Sequence, residues 1–505
     1  MRAWTFPVAL DPDDRLPLFV QIERAITGDV RRGRLRPGDQ LPGTRTLAGE
    51  LGVHRSTVVA AYGELIAQGW VAARRGGGTV VAASPPEPRP RRFASARAPG
   101  GLPARPGFDV QPMELPPTPV APADALALWG GVPDLRLVPA AALGRAWRRA
   151  VRGGRALLGY AADGRGDPRL RAALAGLLSA ARGLAVQADD LLVVRGSQMS
   201  LQLVARSLVQ PGEVAVVEAP GYAPARLAFA RAGARVVPIA VDREGVRVEA
   251  IEALAAREPV RLVYVTPHHQ YPTTVTLSPS RRLALLDLAA RRRIAVVEDD
   301  YDHEFHFDGR PLLPLASADP AGVVIYVGSL AKVLAPGLRL GYLVAPRALL
   351  DRMAAERVLL DRQGELVLER AVAELIEDGE LQRHVRRLRR IYHRRRDVLC
   401  DLVASRLEGR LAFRKPAGGM ALWSRAASGI DVEAWAERAL RAGLLFQTGR
   451  TFDFHGRATP YLRLGFAIAD EGELARAVDI LVKTAPRRGG STRAGRPRYA
   501  LGSRS

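Results

Sequence analysis

IAVVEDDYDHEFHF, residues 294–307, and VIYVGSLAKVLAPGLRLGYLV, residues 324–344, are joined by a Pro/Leu-rich connection. Each half is an apolar, β-branched run that stops abruptly at charged or small residues. Such runs read as fully buried strands of a parallel sheet. In open α/β sheets a ligand sits beyond the carboxyl ends of the strands. The first strand delivers Asp299, Asp300 and Tyr301 to that edge, and the second delivers Gly328, Ser329 and Lys332.

Composition makes Lys332 informative. Of 74 basic residues only Lys332, Lys415 and Lys483 are lysines, leaving 71 arginines. A lysine kept at a strand end suggests chemistry that arginine cannot do. An amine can lose its proton and attack an aldehyde, whereas a guanidinium stays charged. Lys415 and Lys483 lie among polar neighbours and read as surface residues.

Upstream, LLVVRGSQMSLQLVARSL is a strand followed by Gly196-Ser197-Gln198 opening a helix. Backbone N–H groups and the dipole at a helix N-terminus suit a phosphate. Near the start, Phe19, Ile22, Ile26 and Val30 recur on one helical face, and Arg36-Pro37-Gly38 ends that helix. In the following LPGTRTLAGELGVHRSTVVAAYGELIAQGW, Thr44 is expected to cap a short helix reaching Leu51. Gly52-Val53 makes a tight turn, and a second helix runs from about Arg55 to Gln68 with Val58, Tyr62 and Leu65 inward. Two short helices joined this way form a helix-turn-helix whose second helix suits the DNA major groove. Trp70-Val71-Ala72 and Thr79-Val80-Val81, around the Gly76–Gly78 tip, form a wing.

These segments resemble two known families. The front segment is similar to the GntR winged helix-turn-helix. The segments EDDYDHEF, GSLAK and APGLRLGY resemble the fold-type I aminotransferase domain of MocR-type regulators in the GntR family. The resemblance implies a multidomain chain. A mainly α, α+β DNA-binding domain (12–82) precedes a Pro/Arg-rich linker (83–124). An α/β aminotransferase-like domain with a smaller C-terminal α+β part (125–485) follows, then a basic disordered tail (486–505).

The resemblance also assigns residues. Lys332 would form the Schiff base with pyridoxal 5'-phosphate, and Asp299 would pair with its pyridine nitrogen. Asp300 is a rival for that role, because adjacent positions are not separable without a backbone. Tyr301 would bond the ring phenolate oxygen, Tyr222 would stack on the ring, and Ser197, Gln198, Ser329 and Arg339 would hold the phosphate. Tyr160 would reach the phosphate of the partner subunit in a head-to-tail homodimer, and Arg463 would clamp an effector carboxylate. Arg45, Arg55, Ser56, Thr57, Gly78 and Thr79 would contact double-stranded DNA.

The chain departs from the family pattern at four places. Ala331 stands where Ser usually precedes the lysine, Thr274 where Gly is common, and His54 where Ser begins the recognition helix. Tyr271 stands where related enzymes place an Asn that contacts the phenolate, with Gln270 or His269 as the compensating group.

At 505 residues the chain has room for two or three domains. A net charge of +22 suits a polyanionic partner, although an Ala/Arg-rich composition is an equal explanation. The single Cys400 argues against a disulfide framework. No apolar run approaches the roughly 20 residues that span a bilayer, and the reading is a cytoplasmic protein. The function implied is a DNA-binding transcriptional regulator whose PLP-bearing domain senses an amine, an amino acid or PLP itself. The alternative is an active PLP-dependent aminotransferase with a DNA-binding appendage. The winged domain and long linker favour the regulator, since transamination requires neither.

Overall fold

The structure, a computed structural model, describes residues 10–11, 14, 16–74, 78–86, 105–110, 125–161 and 164–486. It falls into two compact units, one within residues 1–116 and one within 117–505. Most of the 83–124 stretch and nearly all of the 486–505 tail lie outside the described residues.

In the first unit, helices α1 (Leu18–Arg31), α2 (Thr44–Leu51) and α3 (Arg55–Ala67) precede the antiparallel strands β1 (Val71–Arg74) and β2 (Gly78–Val81). Ile22, Ile26, Leu47, Val58, Leu65, Trp70 and Val81 form one core. The two helices of the turn meet across Gly52, which takes the left-handed φ of 66° that the turn requires. Thr44 is not the cap expected of it. It is the first helical residue, behind Gly43, which offers no side chain. His54 supplies the next cap, its Nδ1 accepting from the Ser56 N–H at 3.3 Å.

The second unit is built on a mixed eight-stranded sheet. Its strands are β4 (Leu191–Val194), β5 (Val214–Ala219), β6 (Arg235–Asp242), β7 (Gly245–Val246), β8 (Val260–Val265), β9 (Ala295–Asp300), β10 (Val324–Ser329) and β11 (Gly341–Val344), in the order β4-β11-β10-β9-β8-β5-β6-β7. The expected pair, β9 and β10, is parallel with Val327 opposite Asp299. The end of the same stretch departs from the expectation. GYLV turns back as β11, antiparallel to both β10 and β4. Only a glycine fits at position 328, where a Cβ would fall 2.2 Å from the Tyr342 ring of that returning strand.

A second sheet, in the order β12-β13-β15-β14-β3, comprises β12 (Leu411–Phe413), β13 (Ala421–Ala426), β14 (Leu444–Thr448) and β15 (Tyr461–Gly465), closed by β3 (Leu126–Leu128). The C-terminal part is therefore not self-contained, because β3 pairs in parallel with β14 across more than 300 residues of chain. Among the described residues no helix is long and apolar enough to cross a membrane.

Candidate functional site

Successive side chains of a strand point to opposite faces, and this separates Asp299 from Asp300. Asp300 faces a bed of partners. Its Oδ2 accepts from Tyr326 Oη at 2.6 Å and lies 2.9 Å from His303 Nδ1 and 3.6 Å from Arg182 Nη1. Burial alone would raise its carboxyl. The His303 and Arg182 charges hold it well below the usual carboxylate range. Asp299 lies on the opposite face, where its Oδ2 accepts from Tyr264 Oη at 2.8 Å. Its Oδ1 is buried with no hydrogen-bond partner among the described residues. Burial, reinforced by Asp300, pushes Asp299 up to about 7 against the pull of Tyr264 and Lys332.

Lys332 sits in the short turn just after β10, half-buried. Burial and the Arg463 guanidinium hold its ammonium below the ordinary value, while Asp302 and Asp299 oppose them. A lysine depressed in this way gains the neutral, nucleophilic form. Lys415, by contrast, is exposed and paired with Asp397 at 2.7 Å, as its polar surroundings predicted.

Arg463, on β15, is fully buried, and Nε, Nη1 and Nη2 all lack hydrogen-bond partners among the described residues. Its guanidinium lies 4.4 Å over the Tyr271 ring. The backbone of Gly130 approaches so closely that a Cβ there would fall 2.5 Å from Nη1. Three orphaned donors on one buried guanidinium are a departure from the rule that buried polar groups find partners.

Three of the expected tyrosine positions gather here. Tyr222 and Tyr301 both stand edge-on to Tyr271, at 5.3 and 6.0 Å. Tyr222 also shares a hydrogen bond with Gln198 and is pushed up to about 12 by burial. Tyr301 Oη donates to the His269 carbonyl at 3.1 Å. Ser197 begins the Ser197–Leu208 helix behind Gly196, whose φ is 76°. A Cβ on Gly196 would meet the Arg339 guanidinium at 3.0 Å. Arg339, itself left-handed at φ 52°, donates to the Arg195 carbonyl at 2.9 Å. Ser329 closes β10, its Oγ accepting from the Ala331 N–H at 3.2 Å.

Neither group considered as a substitute for the missing Asn is free. Gln270 Nε2 donates to Glu218, to the Pro220 carbonyl and to the Tyr271 carbonyl, and its Oε1 accepts from Thr273. His269 is held by Asp302 through Nδ1 at 2.8 Å. Tyr160 stands apart, 82% exposed, with Arg362 over its ring at 5.2 Å.

In the winged unit Arg45, Arg55, Ser56 and Gly78 are exposed, and Thr57 and Thr79 are half-buried. Arg55 Nε donates to Thr44 Oγ1 at 3.4 Å, so the two helices share one polar face. Residues missed by sequence reasoning are Tyr264, Asp302 and Gly130. Tyr264 is concealed as one more apolar position of a buried strand. Gly130 is recognisable only once the guanidinium it abuts is known.

Two sequence profiles match the chain. The one described as "Bacterial regulatory proteins, gntR family" covers residues 18–81, and the one described as "Aminotransferase class I and II" covers residues 142–481. Among curated relatives, the probable rhizopine catabolism regulatory protein MocR of Rhizobium meliloti is 33% identical over 94% of this chain and 95% of its own. The pyridoxine biosynthesis transcriptional regulator PdxR of Corynebacterium glutamicum is 31% identical, covering 78% and 81%. Among solved structures, the α-aminoadipate aminotransferase LysN of Thermus thermophilus is similar with a TM-score of 0.67 at 30% identity. That match covers 72% of this chain and 92% of the other.

Proposed function

The chain belongs to the MocR-type transcriptional regulators of the gntR family, and from that premise we propose that its aminotransferase-like unit holds pyridoxal phosphate as the sensor of an effector amino acid. The observation that carries this is the trio of Lys332, Asp299 and Arg463: a depressed amine, a carboxylate with an unused buried oxygen, and a guanidinium with none of its donors used.

The donor set fits the cofactor. Lys332 would take its aldehyde, Asp299 Oδ1 would accept from the ring nitrogen, and Tyr222 would lie against the ring. The start of the Ser197–Leu208 helix, with Ser329 and Arg339, would receive the phosphate. Pyridoxal phosphate supplies an aldehyde that captures amines and a ring that withdraws electrons. This chain's part is to keep Lys332 deprotonatable, to exclude water, and to orient the effector. Arg463 favours an effector with a carboxylate over a plain amine, because a bidentate pair would satisfy its fork. PLP itself is the other effector considered, in keeping with the pyridoxine biosynthesis regulator among the relatives.

An effector can shift DNA affinity only by binding two states of the protein unequally. A head-to-tail homodimer would place the exposed Tyr160 against a second copy, and Leu158 and Leu359, 67% and 80% exposed, are apolar surface of the kind such a contact covers. DNA would be met by Arg45, Arg55, Ser56 and Thr57 on the paired helices and by Gly78 and Thr79 at the wing.

Purified protein supplied with pyridoxal phosphate is expected to turn yellow. Lys332→Ala should lose that absorbance completely while unfolding at an unchanged temperature. Adding amino acids should bleach or shift the colour and change operator affinity together. Steady turnover with a keto acid at enzyme-like rates would instead favour the working aminotransferase, and an uncoloured wild-type protein would end the cofactor reading.

A further inference from the structure

Four of the chain's eight histidines, His268, His269, His303 and His306, gather in one cluster of stacked and edge-on rings next to Tyr301. We propose that His268, His269 and His306 form a binding site for one divalent transition-metal ion of the zinc class.

The geometry supplies the argument. His269 Nε2 and His306 Nδ1 lie 3.4 Å apart. Two imidazole nitrogens on a tetrahedral ion, each bonded at roughly 2.0–2.1 Å, stand about 3.4 Å from one another. One ligand nitrogen from each of the three rings lies within 4.8 Å of the others, so a small rotation of a ring completes the set.

The surroundings are those of a ligand set. His269 Nδ1 lies 2.8 Å from Asp302 Oδ1, which fixes the ring and turns its second nitrogen inward. An outer carboxylate is the usual orienting partner of a metal-bound imidazole. Gly418 keeps that nitrogen clear, since a Cβ there would fall 2.1 Å from His269 Nε2. His303 braces the cluster: its ring stacks on His268 at 4.5 Å, and its Nδ1 lies 2.9 Å from Asp300 Oδ2.

The competing arrangement is a lone hydrogen bond between two rings. At 3.4 Å it would be long, and it leaves His268 unexplained. Both nitrogens of that ring are buried with no partner among the described residues. A native group left in that condition calls for an ion or a water. Three imidazoles select zinc, copper or nickel over calcium or magnesium and leave a fourth position for water. The ion would act on the neighbouring pocket through His269, whose carbonyl receives the Tyr301 hydroxyl.

The site does not depend on the cofactor reading, so it is tested in the full-length Lys332→Ala protein as well as in the wild type. After chelation and dialysis against zinc chloride, both should retain one zinc per chain by elemental analysis, undiminished by excess magnesium. Cobalt in the Lys332→Ala protein should give the visible bands of a tetrahedral site. His268→Ala and His306→Ala should each weaken zinc at least tenfold, with metal-free thermal unfolding like that of the metal-free parent. His393→Ala, at a half-buried helical position outside the cluster, should bind as the parent does. If His268→Ala does not fold, His306→Gln at the rim of the cluster carries the comparison alone. Parent protein that holds no zinc after dialysis against zinc chloride, or histidine variants that bind it as the parent does, would overturn the site.

Discussion

In the aminotransferase-like unit the groups proposed to meet a ligand are buried and short of partners, whereas in the winged unit they are exposed above a satisfied interior. Asp299 Oδ1 and the whole Arg463 fork are orphaned inside the protein. Among the described residues of the winged unit, no buried side-chain polar atom lacks a partner. Even buried Asp29 there is held by Arg32 and Arg34. A small-molecule site gains affinity by leaving its own groups unsatisfied until the ligand comes, and folding stability bears the cost. A polyanion surface keeps its cations in water, where they cost little, and takes its affinity from counterion release.

Arg463→Met tests that contrast most severely. Two charge-assisted hydrogen bonds contribute about 3–6 kcal/mol, so affinity for a carboxylate effector should fall by roughly 10²- to 10⁴-fold. The same change removes an uncompensated buried charge. The unliganded protein should therefore be no less stable in urea, and up to a few kcal/mol more stable. A buried arginine with partners must behave oppositely. Arg395→Met strands the Ala467 carbonyl, bound at 2.7 Å, and takes from Asp134 one of its two guanidinium partners, at 3.0 Å, leaving Arg136. It should lose roughly 1–3 kcal/mol. If both substitutions destabilise alike, the orphaned fork is not a ligand site held in reserve.

Arg55→Ala probes the other side of the contrast. Operator affinity should drop by about 1–3 kcal/mol if the side chain reads a base edge. If it holds a phosphate, the slope of log affinity against log salt should flatten by about 0.9. Stability and cofactor absorbance should not move. A change in either would mean that this exposed arginine is part of the domain's own structure.

The pH dependence of folding sharpens the contrast further. Glu218 and Glu298, with an ordinary value of 4.5, and Asp299, with 3.8, are all raised to about 7 in the folded protein, chiefly by burial. The folded state thus binds more protons than the unfolded chain. The stability these groups contribute is complete below their unfolded values and is lost as pH rises through about 7. Denaturant midpoints should therefore fall from mildly acid to neutral pH. Asp299→Asn should flatten that fall by about one proton, or roughly 1.4 kcal/mol per pH unit at the steepest point. Asp300, held low by His303 and Arg182, stays ionised throughout that window and adds nothing to the slope.

Which of these groups the sequence reveals follows from what surrounds them. Lys332 is conspicuous because 71 arginines surround it in composition, and because it follows a strand whose end is sharply marked. The helix-turn-helix is visible through spacing: Val58, Tyr62 and Leu65 fall on one buried face. Asp299 and Asp300 are indistinguishable in sequence, because β9 is buried on both faces and its apolar run does not alternate. Only the positions of Tyr264 and Tyr326, on the two neighbouring strands, tell which aspartate turns toward Lys332. Arg463 is inconspicuous for the reason that made Lys332 obvious, being one arginine among many. β3 is not legible in the sequence, because three residues carry too little pattern to announce a partner so far along the chain.

The smallest effect concerns strain, which also concentrates in the buried unit. Thr274 holds φ 62° where the family pattern has glycine, in a turn closed by its N–H donating to the Gln270 carbonyl at 2.6 Å. A β-branched residue in the left-handed region costs about 1–2 kcal/mol. Glycine removes that strain but gives back roughly 0.4–1 kcal/mol through the extra freedom of the unfolded chain. Thr274→Gly also loses a bond from its hydroxyl to the Thr273 carbonyl, which is only half-buried. The net expectation is a gain of about 0.5–1 kcal/mol, read as a small rise in urea midpoint at constant slope. The turn closes on Gln270 and contains Tyr271, so a stabilised variant should also show altered effector affinity if the strain helps to hold Tyr271 against Arg463. Equal stability with unchanged affinity would mean that Thr274 is accommodated by its neighbours and stores nothing.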